Sequence, residues 1–424
     1  MFKKLKTIKD AGLTTFANIA HAAAQWLLLV IIVKQFDDLI LGQLVLTLSI
    51  ISPIFLLFSF KLRTLVVTDY HNERYFEQYL HARFFAQIIA IILLVIISPW
   101  LLSNIYASII ASVIIFKVGD GTSELCYSYF HKQQKFKRAA LSQTIRSFFT
   151  ITMLLCASYF TKDIHITFFT WALITVLFSL IDVYTVKKVI AQQEDRPFYL
   201  WSTCKNIDAL KASLTIYKKY WPISVSILFS AMFVYIPNYT LEYFRGTESV
   251  GHFAAISYFL VAGGILIHSL SQAVTPKLSH LYHQGQYQAF IKTTQLLMLA
   301  GASIGLIGLI FAHFIGEWLL SVIYNQTIAL LTDELKLIII ASMIRYSYNF
   351  LGSALNALKC FNQQALVYGS GSLTLLISCL VLVPSLGTIG AAISMIIACA
   401  VEMLIMCITF FVQWKKLNLI KADN

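Results

Sequence analysis

A series of apolar runs, each close to 20 residues long, limits the folds that are open to this chain. A helix needs about 20 apolar residues to cross the hydrocarbon core of a bilayer. The runs are far longer than the roughly ten-residue alternating strands of a membrane barrel. The sequence therefore predicts an all-α integral membrane protein with twelve transmembrane helices. The predicted spans are 12–33, 39–60, 79–102, 107–130, 139–160, 164–186, 214–238, 250–275, 289–313, 335–358, 363–383 and 387–413.

The composition agrees with this fold class. Hydrophobic residues make up 58% of the 424 residues, charged residues make up only 12%, and the mean hydropathy is +0.74. The seven cysteines are scattered without a CxxC spacing, so neither a disulfide nor a metal site is predicted. The sequence contains no phosphate-binding GxxxxGK motif and no HExxH motif, so we predict a chain that is not an enzyme and needs no cofactor.

The distribution of basic residues predicts the orientation in the membrane. Twelve spans place both ends of the chain on one side, and both ends are rich in lysine. Most of the 32 basic residues fall on this same side, which should be the cytoplasm because lysine and arginine concentrate in cytoplasmic loops. The net charge of +12 then reflects topology and attraction to phospholipid headgroups, and nucleic-acid binding is not predicted.

The chain divides into two halves that resemble each other. A polar, Pro-containing stretch separates an N-terminal six-helix lobe (1–190) from a C-terminal six-helix lobe (213–424), with a cytoplasmic linker at 191–212. An acidic polar turn followed by glycine opens both the second and the eighth span, with Gly42 matching Gly251. We therefore expect an internal repeat with a pseudo-twofold axis along the membrane normal. Two such lobes can rock about a central cavity, which is the usual basis of alternating access.

Charged residues inside the spans mark the candidate site. Lys117, Asp120 and Glu124 recur at spacings of three and four residues and share one face of the fourth span. Lys117 lies 14 residues before His131, about 21 Å from the cytoplasmic edge. Arg345 lies at a matching depth in the tenth span. An ionised group at this depth costs at least about 2.5 kcal/mol in lipid, so both cations must face the interior.

Two functions are open for these charges. One is a cationic cavity for an anionic substrate, bound by Lys117, Arg146 and Arg345. Arg345 favours this interpretation, because its span has no acid within two turns below it and we expect it to be unneutralised. The other is a neutral buried network that only holds the helices together, and a Glu124–Arg146 pair is the hypothesis for its core. Asp120 and Glu124 are then structural or coupling acids.

Other polar residues in the spans have similar alternatives. Glu402 is a lone acid near mid-membrane, either a protonatable coupling site or a protonated acid satisfied by a neighbour. The first span carries a polar stripe that either lines the cavity or joins helices. Its residues are Thr14, Asn18, His21 and Gln25. At the cytoplasmic end, four cations either snorkel to the headgroups or form an entry funnel for phosphate. They are Lys61, Arg63, Arg74 and Arg83.

The sequence resembles a known family at three stretches. "FKVGDGTSELCYSYFHKQQKFKRAALSQTIRSFF" (116–149) is similar to the fourth-to-fifth-span region of O-antigen and polysaccharide flippases of the Wzx type, in the multidrug/oligosaccharidyl-lipid/polysaccharide exporter superfamily. "LEYFRGTESVGHFAA" (241–255) resembles the polar turn that opens their eighth span, and "FSFKLRTLVVTD" (58–69) their exit from the second. In this resemblance Lys117 and Arg146 match basic positions, and either Glu124 or Asp120 matches the acidic one.

The resemblance implies a function. It implies a V-shaped bundle in the bacterial inner membrane that moves an undecaprenyl-pyrophosphate-linked oligosaccharide from the inner to the outer leaflet. A polysaccharide polymerase and chain-length proteins are candidate partners, and H⁺ or Na⁺ is a candidate coupling ion. One alternative is an ion-coupled multidrug exporter of the same fold. Another is a membrane glycan polymerase, which would need larger periplasmic loops than the sequence provides.

Overall fold

The chain is helical throughout the part that the structure describes. The computed structural model describes residues 2–69, 75–102, 105–193, 198, 207–358 and 361–422. No strand is present in these ranges. The helices are α1 (Phe2–Gln35), α2 (Asp38–Leu57), α3 (Leu62–Thr68), α4 (Phe76–Leu101), α5 (Ala107–Lys132), α6 (Phe136–Thr161), α7 (Ile164–Gln193), α8 (Ile207–Arg245), α9 (Thr247–His283), α10 (Tyr287–Ile323), α11 (Gln326–Ala329), α12 (Thr332–Ala357) and α13 (Phe361–Ala422).

The helix lengths agree with twelve membrane crossings. Eight described helical segments are long and apolar enough to cross a membrane. The last of them, Leu366–Gln413, has 48 residues, and at about 1.5 Å per residue it is more than twice as long as a bilayer core is thick. It must cross twice. The long helices α5, α8 and α12 complete the predicted twelve, because α3 and α11 have only 7 and 4 residues.

A backbone break divides α13 into two membrane-length halves. Gly387 has φ 57° and ψ −128°, a conformation that is essentially restricted to glycine. The first half therefore ends with carbonyl groups that have no partner further along the helix. Arg245, at the end of α8, supplies donors to them: its Nη2 donates to the carbonyls of Pro384 at 2.9 Å and Ser385 at 3.0 Å. The arginine thus caps the first half of α13.

The chain forms two compact units. Unit 1 comprises Met1–Asp37 and Thr47–Leu228, and unit 2 comprises Asp38–Leu46 and Phe229–Asn424. Most of the predicted linker at 191–212 lies outside the described residues. The six-helix lobes and their pseudo-twofold axis stay predictions.

Unit 1 is held together by close helix packing around α5. Phe116 of α5 stacks on Trp171 of α7 with ring centroids 4.2 Å apart. Three residues on, a Cβ added to Gly119 would come within 3.1 Å of the backbone of Thr175, so α5 and α7 are almost in backbone contact. This contact sets the rotation of α5 and therefore the direction of its charged face. Below it, Phe130 of α5 belongs to a buried cluster with residues of α3, α4, α7 and α8.

Unit 2 uses glycine in the same way. Gly301 and Gly305 of α10 lie against the backbone of Tyr346 and Met343 in α12, where a Cβ would clash. On the opposite side of α10, Leu296, Leu299 and Phe311 are exposed. An exposed apolar face on a helix of this length is what contact with lipid requires. The positions of α12 and of its buried charges follow from this packing.

Candidate functional site

The acidic face of α5 is engaged by two groups of basic residues in unit 1. Asp120 accepts a hydrogen bond from Nη2 of Arg146 in α6 at 2.8 Å, and Nε2 of His21 in α1 lies 3.9 Å from the same oxygen. Arg146 is only 4% exposed, so its charge depends on this carboxylate. The predicted Glu124–Arg146 pair is wrong. Asp120, four residues earlier on the helix, is the partner.

Glu124 forms a second group, one turn closer to the cytoplasmic end. Its two carboxylate oxygens each lie 3.4 Å from an arginine, Oε1 from Arg63 and Oε2 from Arg83. Arg83 is 6% exposed and Arg63 is 43% exposed. Lys61, another residue predicted at the entry, is exposed and has left-handed backbone (φ 50°) before α3, and Arg74 lies outside the described residues. Two of the predicted entry cations are therefore held by an intramembrane acid.

Lys117 is a further basic residue on this side of α5, and it forms no ion pair with Asp120 or Glu124. Among the described residues, no carboxylate lies within ion-pairing distance of its ammonium group. Its Nζ lies 5.6 Å from the centroid of the Phe116 ring. The side chain is half-buried, so it is neither sealed in the core nor free in solvent.

Unpaired hydrogen-bond donors accompany this positive charge. Within the described part of the chain, Nη1 of Arg146 and Nε of Arg83 are buried and have no acceptor. Buried donors without partners are rare, because each costs about 1–3 kcal/mol. An anionic ligand or ordered water would satisfy them.

The polar stripe of α1 faces the same region. His21 and Gln25 are 3.2 Å apart through their side-chain nitrogens, and Gln143 of α6 donates to Oδ1 of Asn18 at 3.4 Å. His21 and Gln25, together with Arg146, line a small cavity of about 20 Å³, which is room for about one water molecule. Phe116, Ser147, Thr150, Trp171 and Thr175 complete most of its wall. The stripe thus both joins α1 to α6 and lines a cavity.

A buried acid of α7 in unit 1 was not among the predicted site residues. Asp182 of α7 is 2% exposed and accepts a hydrogen bond from Ser142 of α6 at 2.5 Å. Its second oxygen, Oδ2, has no hydrogen-bond partner in the described residues. The signal was present in the sequence, since Asp182 is a lone acid in the apolar run "VLFSLIDVY", as Glu402 is in the last span.

Unit 2 contains a separate charged group around Arg345. Its Nη1 lies 3.5 Å from Oε2 of Glu402 in α13, and its guanidinium carbon lies 3.9 Å above the centre of the Phe233 ring. Tyr348 also donates a hydrogen bond to Glu402, which is 1% exposed. The expectation that Arg345 is unneutralised is wrong, because its acid comes from another helix. Both alternatives for Glu402, a protonatable coupling site and a protonated acid satisfied by a neighbour, stay predictions.

The comparisons with known proteins agree with this architecture. No protein-family model matches the chain. The capsular polysaccharide biosynthesis protein CapF of Staphylococcus aureus is 27% identical over 403 residues, which cover 92% of this chain and 96% of CapF.

Two solved structures share the fold. An inward-facing multidrug resistance MATE family transporter of the MOP superfamily has a TM-score of 0.70 and 14% identity, covering 96% of both chains. The lipid II flippase MurJ, in an inward closed conformation, has a TM-score of 0.63 and 14% identity, covering 96% of this chain and 86% of MurJ. The resemblance seen in the sequence is thus confirmed: this chain is a multi-pass membrane protein with the fold of MOP-superfamily transporters, and it is related in sequence to a capsular polysaccharide biosynthesis protein.

Proposed function

We propose that this protein is a flippase for a lipid-linked oligosaccharide, a polysaccharide repeat unit on undecaprenyl pyrophosphate. It would move this substrate from the inner to the outer leaflet of the bacterial cytoplasmic membrane by alternating access, with both termini in the cytoplasm. The observation that carries the proposal is Lys117, a cation deep within a span that has no acid partner among the described residues. It lies in a chain similar to a capsular polysaccharide biosynthesis protein.

The charge balance of unit 1 supports an anionic substrate. Along the charged face of α5, Asp120 is paired with Arg146, and Glu124 is shared by Arg63 and Arg83. Lys117 lies on the same face, so positive side chains outnumber the acids there, at a depth where an uncompensated charge is costly. A pyrophosphate would compensate it, and its oxygens are the strongest acceptors for the unpaired donors of Arg146 and Arg83.

The two kinds of cation have different proposed roles. Arg146 is held by Asp120 and so presents its free Nη1 in a fixed direction. Lys117 is held by no acid in the described part of the chain, so its flexible side chain can follow the moving phosphate. Arg345 stays a proposed substrate-binding residue, although Glu402 neutralises it. Asp182 and Glu402 are the candidate groups for coupling to H⁺ or Na⁺.

The experiment that tests this role uses the purified chain in proteoliposomes. The substrate is a polyprenyl-pyrophosphate-linked oligosaccharide, and its appearance in the opposite leaflet is measured with a membrane-impermeant glycosidase. We expect Lys117→Gln to slow translocation at least about tenfold, the equivalent of losing about 1.4 kcal/mol of transition-state stabilisation. Lys117→Arg should retain most of the rate because it keeps the charge. Lys188→Gln, on the exposed face of α7, is the matched control and should behave as wild type.

Normal translocation by Lys117→Gln would contradict the proposed role of Lys117. The wild-type chain should be tested at a concentration where translocation by a known flippase is readily seen. Absence of translocation under these conditions would contradict the substrate class.

The second candidate function, an ion-coupled multidrug exporter, is favoured by the buried acids Asp182 and Glu402. It predicts proton-driven uptake of a cationic dye into the same vesicles, and Asp182→Asn should abolish that uptake.

A further inference from the structure

A second group of polar side chains lies in unit 2, at the N-terminal ends of three helices. Asp38 is in the first turn of α2, Glu248 and His252 are one turn apart at the start of α9, and Asn325 precedes α11. Asp38, Glu248 and His252 each direct one possible ligand atom to a common point, and these three atoms lie within 4.8 Å of one another. The proposed flippase mechanism does not use them.

The separations between these atoms suit a divalent metal ion. Nε2 of His252 lies 2.9 Å from Oδ2 of Asp38 and 3.9 Å from Oε1 of Glu248. Nitrogen and oxygen ligands bind Zn²⁺ at about 2.0–2.2 Å, so two ligands of one tetrahedral ion lie about 3.3–3.6 Å apart. The observed separations fall on both sides of this value. Small side-chain rotations are enough to place all three atoms around one ion.

Asn325 holds the aspartate ligand in position. Its Nδ2 donates to Oδ1 of Asp38 at 2.8 Å, while its own Oδ1 accepts from the backbone N–H of Ile328 at 2.9 Å. The amide is therefore fixed at both ends, and it leaves Oδ2 of Asp38 directed at His252. Partners of this kind orient the ligands in natural metal sites.

The backbones that carry the ligands are in close contact. A Cβ on Gly251 would come within 2.7 Å of the backbone nitrogen of Gly42 and 2.9 Å of the carbonyl oxygen of Asp38. Helices α2 and α9 therefore touch at their first turns and cannot drift apart without losing this contact. The side chains of Asp38 and His252 are 15% and 14% exposed, and that of Glu248 is 62% exposed. An ion can enter from the side of Glu248, where water can fill the fourth position.

We propose that Asp38, Glu248 and His252 bind a divalent transition-metal ion, for which Zn²⁺ is the best match, with Asn325 as a positioning residue. Two carboxylates and a neutral imidazole give a charge of −2, which a dication neutralises. The ion would replace the proton shared by His252 and Asp38 and join the first turns of α2 and α9. The ligands come from positions more than 200 residues apart, which is why spacing along the chain predicts no metal site.

The test uses the full chain, purified with a tag that contains no histidine, in detergent after removal of metal by EDTA. Zn²⁺ binding is measured by calorimetry, and Co²⁺ binding by the visible absorption of the substituted site. We expect one high-affinity site per chain. Glu248→Gln should weaken Zn²⁺ binding at least about tenfold, and because Glu248 is exposed this variant should fold as wild type. Asn325→Ser keeps an oxygen before α11 and should weaken binding by about 10- to 100-fold.

The control is a variant without the exposed HxxH pair, His280→Ala with His283→Ala, which should bind Zn²⁺ as wild type does. Loss of the high-affinity site in this control would overturn the proposal, because the ion would then be bound by His280 and His283. Equal Zn²⁺ affinity in wild type, Glu248→Gln and His252→Gln would also overturn it. Failure of the metal-free wild-type chain to bind one equivalent of Zn²⁺ would have the same meaning. None of these results bears on oligosaccharide transport, which is measured separately.

Discussion

Single residues in this protein are stabilised by partners that are distant along the chain. Arg345 has no acid on its own helix below it, yet Glu402 of α13 lies 3.5 Å away. Arg146 pairs with Asp120 of α5. A buried arginine that loses such a partner retains a charge that lipid and protein cannot solvate. We therefore expect Asp120 and Glu402 to stabilise the fold by compensating Arg146 and Arg345.

The pair formed by Arg345 and Glu402 provides a test of this stabilisation. Glu402→Gln removes the negative charge from a side chain that is 1% exposed and leaves Arg345 without its counter-charge. We expect the free energy of unfolding to fall by about 3–5 kcal/mol. The measurement is the unfolding transition of the purified chain in detergent. The double variant Arg345→Met with Glu402→Gln should recover part of the loss, because no charge is then left unpaired.

The matched control for this pair is Glu317→Gln. Glu317 is an exposed acid of α10, and its replacement should change stability by less than about 0.5 kcal/mol. If Glu402→Gln is as stable as this control, the ion pair does not contribute to the stability of unit 2.

Helical elements depend on glycine at two kinds of position. At Gly119, Gly301 and Gly305 the absence of a side chain lets two helices approach closely. At Gly387 the requirement is different, because the backbone itself has a positive φ. That conformation ends one membrane-length helix and starts the next without a loop, and Arg245 caps the exposed carbonyls.

The break in α13 yields a prediction about this element. Gly387→Ala forces a side chain into a conformation that costs about 1–3 kcal/mol, so we expect the stability of the chain to fall by that amount. Gly369→Ala is the comparison within the same helix. Gly369 has no atom within 4 Å of an added Cβ and no positive φ, so alanine should be neutral or stabilise by about 0.5–1 kcal/mol. Equal effects of the two substitutions on thermal unfolding would argue against a special backbone at Gly387.

At the scale of the whole molecule, the number and the length of the helices determine the number of membrane crossings. Eight segments are apolar enough to be identified as membrane spans from hydropathy alone. They correspond to nine crossings, because one of them contains both halves of α13. The other three, α5, α8 and α12, include the two that carry Lys117 and Arg345. Two of the three helices that are not recognised by their apolar character alone therefore carry predicted site residues.

Cysteine labelling tests the predicted topology. The turn after α6 should face outward and the start of α6 should face the cytoplasm. In intact cells a membrane-impermeant maleimide should label Thr161→Cys, at the exposed end of α6. Lys137→Cys, exposed at the start of the same helix, should be labelled only after the membrane is made permeable. The reverse pattern would show that the positive-inside rule fails for this chain.

The amino-acid sequence was enough to establish the fold class, the twelve spans and the resemblance to polysaccharide flippases. Hydropathy and basic-residue distribution are local properties, and each span must satisfy its own backbone in lipid whatever its neighbours are. The pairing of the charges depended on how the helices pack. Asp120 and Glu124 are one turn apart on the same face of α5, so the sequence does not say which arginine each acid contacts. The packing of Gly119 against Thr175 sets the rotation of α5. The position of α6 then brings Arg146 to Asp120, and the positions of α3 and α4 bring Arg63 and Arg83 to Glu124. The partner of Arg345 could not be predicted from the sequence either, because helix packing brings Glu402 to it. Glu402 is a few ångströms away in space but more than 50 residues away along the chain.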